Sequence, residues 1–140
     1  MSEGLSRNDA LIILNGLPHV GPVLLRHLMD EFSGDPVAVL SGDRNKLLRV
    51  KGVGEKAAAV LVDWATHFDL EKEQRNMTSS GIRFVDRWCG DYPKSLGELY
   101  DPPIGLYWKG EYLVDRPCIA IVGTRRATLY GRKVAQRFGA

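Results

Sequence analysis

The chain has 140 residues, 44% of them hydrophobic and 26% charged, with a formal net charge of +2, a composition usual for a soluble globular protein. No apolar run approaches the roughly 18 residues that cross a membrane, and Met1-Ser2-Glu3-Gly4 lacks the basic start and apolar core of a signal peptide. Cys89 and Cys118 are the two cysteines, without a CxxC or Cys/His cluster, which points to a reduced cytoplasmic protein with no structural zinc.

Charge is unevenly placed. Residues 1–75 carry 9 Lys and Arg against 11 Asp and Glu, and residues 76–140 carry 10 against 6. From Arg116 onward come Arg116, Arg125, Arg126, Arg132, Lys133 and Arg137, with no acidic residue among them. Such a stretch favours an anionic partner.

In chain order, Ser6 and Asp9 form a shortened capping box, with Leu5 as a staple before it. Leu11, Ile12 and Leu14 give the helix that follows an apolar face, closed near Asn15-Gly16. A second helix fits Gly21 to Phe32, with Pro22 in its first turn and Gly34 ending it. Asp35-Pro36 opens a short helix through Leu40, and Asp43 caps another that carries Leu47 and Leu48. The stretch Leu48-Arg49-Val50-Lys51-Gly52-Val53-Gly54-Glu55-Lys56-Ala57-Ala58 has the signature of a helix-hairpin-helix. Two glycines permit a tight turn, and the free N–H groups at the start of the next helix can hold a phosphate oxygen. Lys51, Gly52, Gly54 and Lys56 are the candidate contacts, reading backbone and not bases. Leu17-Pro18-His19-Val20-Gly21-Pro22 repeats the pattern 33 positions earlier. The residues favour an architectural role for that first copy. For the second, DNA contact and architecture both stand. The helix after Gly54 is expected to be long, through Ala57, Ala58, Leu61, Ala65, Phe68 and Leu70, with Glu71 to Arg75 as a solvated last turn or linker. Trp64 reads as core, and Ser79-Ser80-Gly81 as the domain break.

Beyond it, Ile82 to Val85 reads as a strand, Tyr92 to Leu96 as the start of a short helix or turn, and Ile104 to Lys109 as a strand ended by Gly110. Asp101-Pro102-Pro103 fits neither regular helix nor a central strand, and Leu113 to Pro117 is a connector. Cys118 to Val122 then reads as a buried strand. It feeds the turn Gly123-Thr124-Arg125-Arg126 and a helix capped by Thr128, the order of parts in a phosphate-binding turn. Gly123 permits close approach, Thr124 offers a hydroxyl, Arg125 a two-pronged grip, and Thr128 aims a helix dipole at the same place. Arg126 reads as a second phosphate contact or a structural partner, and Arg132 and Lys133 as solvated. Tyr107, Trp108 and Tyr112 are candidates for base stacking or for packing. His19, His27 and His67 have no ligand spacing, so no metal and no cofactor is assigned, and no catalytic constellation stands out.

Tyr92-Pro93, Leu96, Asp101-Pro102-Pro103, Leu106-Tyr107, Lys109-Gly110 and Ile119 to Thr128 with Tyr130-Gly131, taken in order, resemble the DNA processing protein A family (DprA, also called Smf). The helical half is similar to that family's N-terminal SAM-like domain. The resemblance implies an α+β chain: an all-α SAM-like domain with two helix-hairpin-helix units at residues 1–78, then the truncated beginning of an α/β Rossmann-like domain at 79–140. It implies a DNA-binding recombination mediator and not an enzyme. Such a protein binds and protects single-stranded DNA, helps load a RecA-type recombinase, acts in DNA uptake and natural transformation, and forms homodimers. The family's Gly-Ser-Arg motif falls on Gly123, Thr124 and Arg125, with threonine replacing serine. Leu129 stands where the family often has proline. Two alternatives remain: a nucleotide-binding or nucleotide-processing Rossmann-like enzyme, and a helix-hairpin-helix module for duplex DNA or protein. The chain reads as a fragment, so Ile119 to Val122 should expose apolar surface, and the isolated chain should bind single-stranded DNA weakly or not at all.

Overall fold

The structure is a computed structural model that describes residues 4–111 and 119–139. Helix α1 (Arg7–Gly16) starts as its capping pair dictates. The Ser6 hydroxyl accepts from the Asp9 N–H at 3.1 Å and donates to the Asp9 carboxylate at 2.6 Å. Its five consecutive residues Ala10 to Leu14 are all at most 2% exposed. That is burial on every side, more than the single face the spacing predicts. α1 is the central helix, and helices and strands of both halves of the chain pack around it.

Helix α2 (Pro22–Glu31) has Pro22 in its first turn, where the missing N–H costs nothing. Helix α3 (Pro36–Leu40) is capped by Asp35, whose carboxylate takes the N–H groups of Val37 and Ala38. Helix α4 (Arg44–Leu48) is capped by Asp43 through the Lys46 N–H. Helix α5 (Glu55–Val62) begins at Gly54, with no side chain capping it. The repeat at 33 positions extends to backbone and burial. Leu14, Leu17, Val20, Leu25 and Leu28 correspond to Leu47, Val50, Val53, Ala58 and Leu61, and all ten are buried. His19 (φ 64°) and Gly52 (φ 88°) hold the same left-handed position. Gly21 and Gly54 cap the following helices with nearly the same angles, φ −88°, ψ 172° and φ −93°, ψ 174°. The second turn is latched to the first unit: His27 Nδ1 donates to the Lys51 carbonyl at 2.8 Å.

The single long helix expected after Gly54 is three. α5 stops at Asp63, helix α6 (Trp64–His67) follows, and helix α7 (Leu70–Ser80) is separately capped by Asp69 through the Lys72 N–H. Local hydrogen bonding and packing override the periodicity. Asp63 is bonded by the Thr66 hydroxyl, Phe68 is extended, and its ring lies against Gly16, leaving no room there for a Cβ. Glu71 to Arg75 therefore lie inside a helix, not in a linker. Trp64 and Phe68 are partly buried against the core.

α7 ends at Gly81, in the left-handed conformation (φ 63°). Strand β1 (Ile82–Asp86) then pairs antiparallel with strand β2 (Gly105–Lys109), Phe84 opposite Tyr107. Phe84 and Ile104 join the same core as α1, and the Phe84 and Tyr107 rings meet edge to face at 5.5 Å. Helix α8 (Lys94–Gly97) follows Pro93, and the Tyr92 hydroxyl donates to the Pro103 carbonyl at 2.7 Å. The Asp101-Pro102-Pro103 segment is irregular, as its prolines require. It is tied to α2 by an ion pair between Arg26 and Asp101, and Arg26 also lies over the Tyr100 ring. Arg7 of α1 lies over Trp88 in the same manner.

The mixed α+β class is as expected, and the sheet has two strands among the described residues. The expected buried strand is not formed. Cys118 lies outside the described residues, and Ile119 to Val122 carry no strand pairing. Ile119 is 77% and Val122 89% exposed. A strand exists by virtue of its neighbour, and neither β1 nor β2 pairs with this run. Helix α9 (Leu129–Gly139) follows, with no buried residue. The connector at Leu113 to Pro117 and Tyr112 also lie outside the described residues.

Candidate nucleic-acid interface

The start of α9 is built by Thr128. Its hydroxyl accepts from the Gly131 N–H at 3.1 Å, and its carbonyl takes the Arg132 N–H at 3.0 Å. This is N-cap geometry, which leaves the helix's positive end facing the turn before it.

Gly123, Thr124, Arg126 and Thr128 all line one open groove of about 620 Å³, with Ile121, Val122, Tyr130 and Arg132. Arg125 is exposed and lies outside that lining. Arg132, read as solvated, instead folds back on the turn, its Nε donating to the Ala127 carbonyl at 3.4 Å. Its position four residues after Thr128 was the available signal, since residues four apart share a helix face. Residues 119–139 contain five cations and no carboxylate, and none of them enters an ion pair among the described residues. A hydroxyl, a helix start and unpaired guanidinium groups around a concave surface can bind an oxyanion such as a phosphodiester.

The second set is exposed, Lys51, Gly52 and Gly54 on the turn before α5 and Lys56 in its first turn. The groove at α9 is lined by none of them. Of the aromatics, Tyr107 is 43% exposed. Burial and its hydrogen bond to the Glu73 carboxylate push its phenol up to about 12. Trp108 donates to the Gly110 carbonyl at 3.0 Å, and Arg83 lies over its ring. The described residues contain no group of three His, Cys, Asp or Glu side chains able to hold a metal. None of their helices is long and apolar enough to cross a membrane.

The fold and the turn define the class, an α+β chain that ends in a basic turn and a capped helix suited to an anionic polymer. Residues 83–140 match the family model of DNA recombination-mediator protein A. No solved structure gives a significant match to the chain.

Proposed function

We propose that the chain serves a single-stranded-DNA-binding recombination mediator, a binding protein and not a catalyst. In this reading residues 1–78 form a SAM-like helix-hairpin-helix domain and residues 79–140 begin a Rossmann-like domain. The turn from Gly123 to Thr128 grips the DNA backbone. Thr124 and the free N–H groups of α9 hold one phosphate, Arg126 and Arg132 neutralise it, and Arg125 reaches the next from outside the groove. The partners are single-stranded DNA, a RecA-type recombinase that the protein helps to load, and a second copy of the chain. The expected setting is cytoplasmic DNA uptake.

The observation carrying this reading is the convergence of Thr124, Arg126, Thr128 and Arg132 on one groove without a carboxylate. Fluorescence anisotropy with a labelled oligothymidylate tests it. Weak binding, with a Kd of roughly 10⁻⁵ M at moderate salt, should be abolished by Arg126→Glu with Arg132→Glu. Undiminished binding by that double variant, with its fold intact by circular dichroism, would refute the assignment.

A further inference from the structure

The two repeated turns share a backbone but not a charge. Around the second stand Arg44, Lys46, Arg49, Lys51 and Lys56. The positions 33 residues earlier are Leu11, Ile13, Gly16, Pro18 and Val23, without a single cation. Two of the five cations are engaged: Arg44 pairs with Glu55, and Lys46 lies over the Phe32 ring. Asp43, the other nearby acid, is committed to capping α4. Arg49, Lys51 and Lys56 are exposed, and among the described residues their side chains take part in no hydrogen bond, ion pair or ring contact. An otherwise acidic unit thus presents one local basic face, at the turn with the glycine and the unshielded helix start.

We propose that this face is a backbone contact for duplex DNA, distinct from the single-strand groove at α9. Two features favour a duplex. Residues 44–56 contain no aromatic side chain, whereas binding of single strands without sequence preference relies on stacking against aromatic rings. The turn is also rigidly held. Val50 and Val53 are buried beneath it, and His27 fixes the Lys51 carbonyl. Cations held at fixed spacing match the regular phosphate ladder of a duplex, reading no sequence. A chain with both contacts would sit where single-stranded DNA meets duplex.

The test is anisotropy of the whole chain with a short mixed-sequence duplex, titrated between about 50 mM and about 200 mM salt. Arg49→Ala, Lys51→Ala and Lys56→Ala together should weaken duplex binding about tenfold or more at the lower salt. They should also flatten the slope of log K against log salt by about 2 to 3. Single-strand binding at the α9 groove should remain within about threefold. A control removing three other exposed lysines, Lys72, Lys94 and Lys109, should retain duplex binding. No duplex binding by the unaltered chain, no effect of the triple variant, or an equal loss in the control would each overturn the proposal. Loss confined to the single strand would overturn it too. Failure of the Arg126 and Arg132 variant against oligothymidylate bears only on the groove, so the two assignments fail separately.

Discussion

In the first repeated turn a histidine, His19, holds the left-handed position, and a proline opens the next helix. In the second, Gly52 holds it, and Glu55 opens the helix under a ring of cations. Five buried positions of the two units match pair for pair, from Leu14 with Leu47 to Leu28 with Leu61, whereas the buried Ala10 to Ile13 correspond to the exposed Asp43 to Lys46. Around the turns the difference therefore lies at the surface and in backbone strain, not in the five matched positions beneath them. It shows that a repeated frame can keep its packing while its exposed chemistry diverges, and it gives the comparison measurable content.

The largest effects should be common to both copies. Leu14→Ala and Leu47→Ala truncate equivalent, fully buried side chains, so urea unfolding should show losses of about 2–5 kcal/mol for each. A much smaller loss at one would mean that the copies do not share a core role. The next effect separates them. Gly52→Ala puts a Cβ where φ is 88°, a loss of about 1–2 kcal/mol. His19→Gly relieves that strain but adds freedom to the unfolded chain, so its midpoint should stay nearly unchanged. Smaller again is His27→Ala, which removes the bond to the Lys51 carbonyl and should cost about 1 kcal/mol. Hydrogen exchange should then rise at the second turn and not at the first.

The smallest expected change spares both turns. Burial beside Glu73 raises the Tyr107 phenol in the folded chain to about 12 from its ordinary value of 10.0, so the folded state keeps its proton where the unfolded state loses it. The resulting stability is complete below pH 10 and is lost as pH climbs from 10 toward 12. Alkaline unfolding midpoints should show this fall, and Tyr107→Phe should remove it. Because Tyr107 is nearly half exposed, solvent screening keeps the effect slight.

What could be read from sequence was what local chemistry decides. The caps at Ser6, Asp35, Asp43 and Thr128, the proline start of α2 and the left-handed Gly34 and Gly81 all act within a few residues of themselves. What could not be read depends on distant partners. The break between α5 and α7 follows from Phe68 docking on Gly16. The tie of Asp101 to Arg26 spans 75 residues. The apolar run Ile119 to Val122 has the composition of a strand, but strand pairing needs a neighbour that residues 119–122 cannot supply themselves. At the candidate interface, residue types and the capped helix were legible. The return of Arg132 to the turn was signalled only by its spacing from Thr128, because a guanidinium on a long flexible stem has several surfaces within reach.

The measurement that tests the account most directly is an amide chemical-shift titration of the ¹⁵N-labelled chain with oligothymidylate, followed by the mixed-sequence duplex. The account predicts that the single strand moves the amides from Gly123 to Arg132, and that the duplex moves those from Lys51 to Lys56 while leaving those of His19 to Gly21 still. Shifts confined to the first repeated turn, or no response from Gly123 to Arg132 to the single strand, would contradict it.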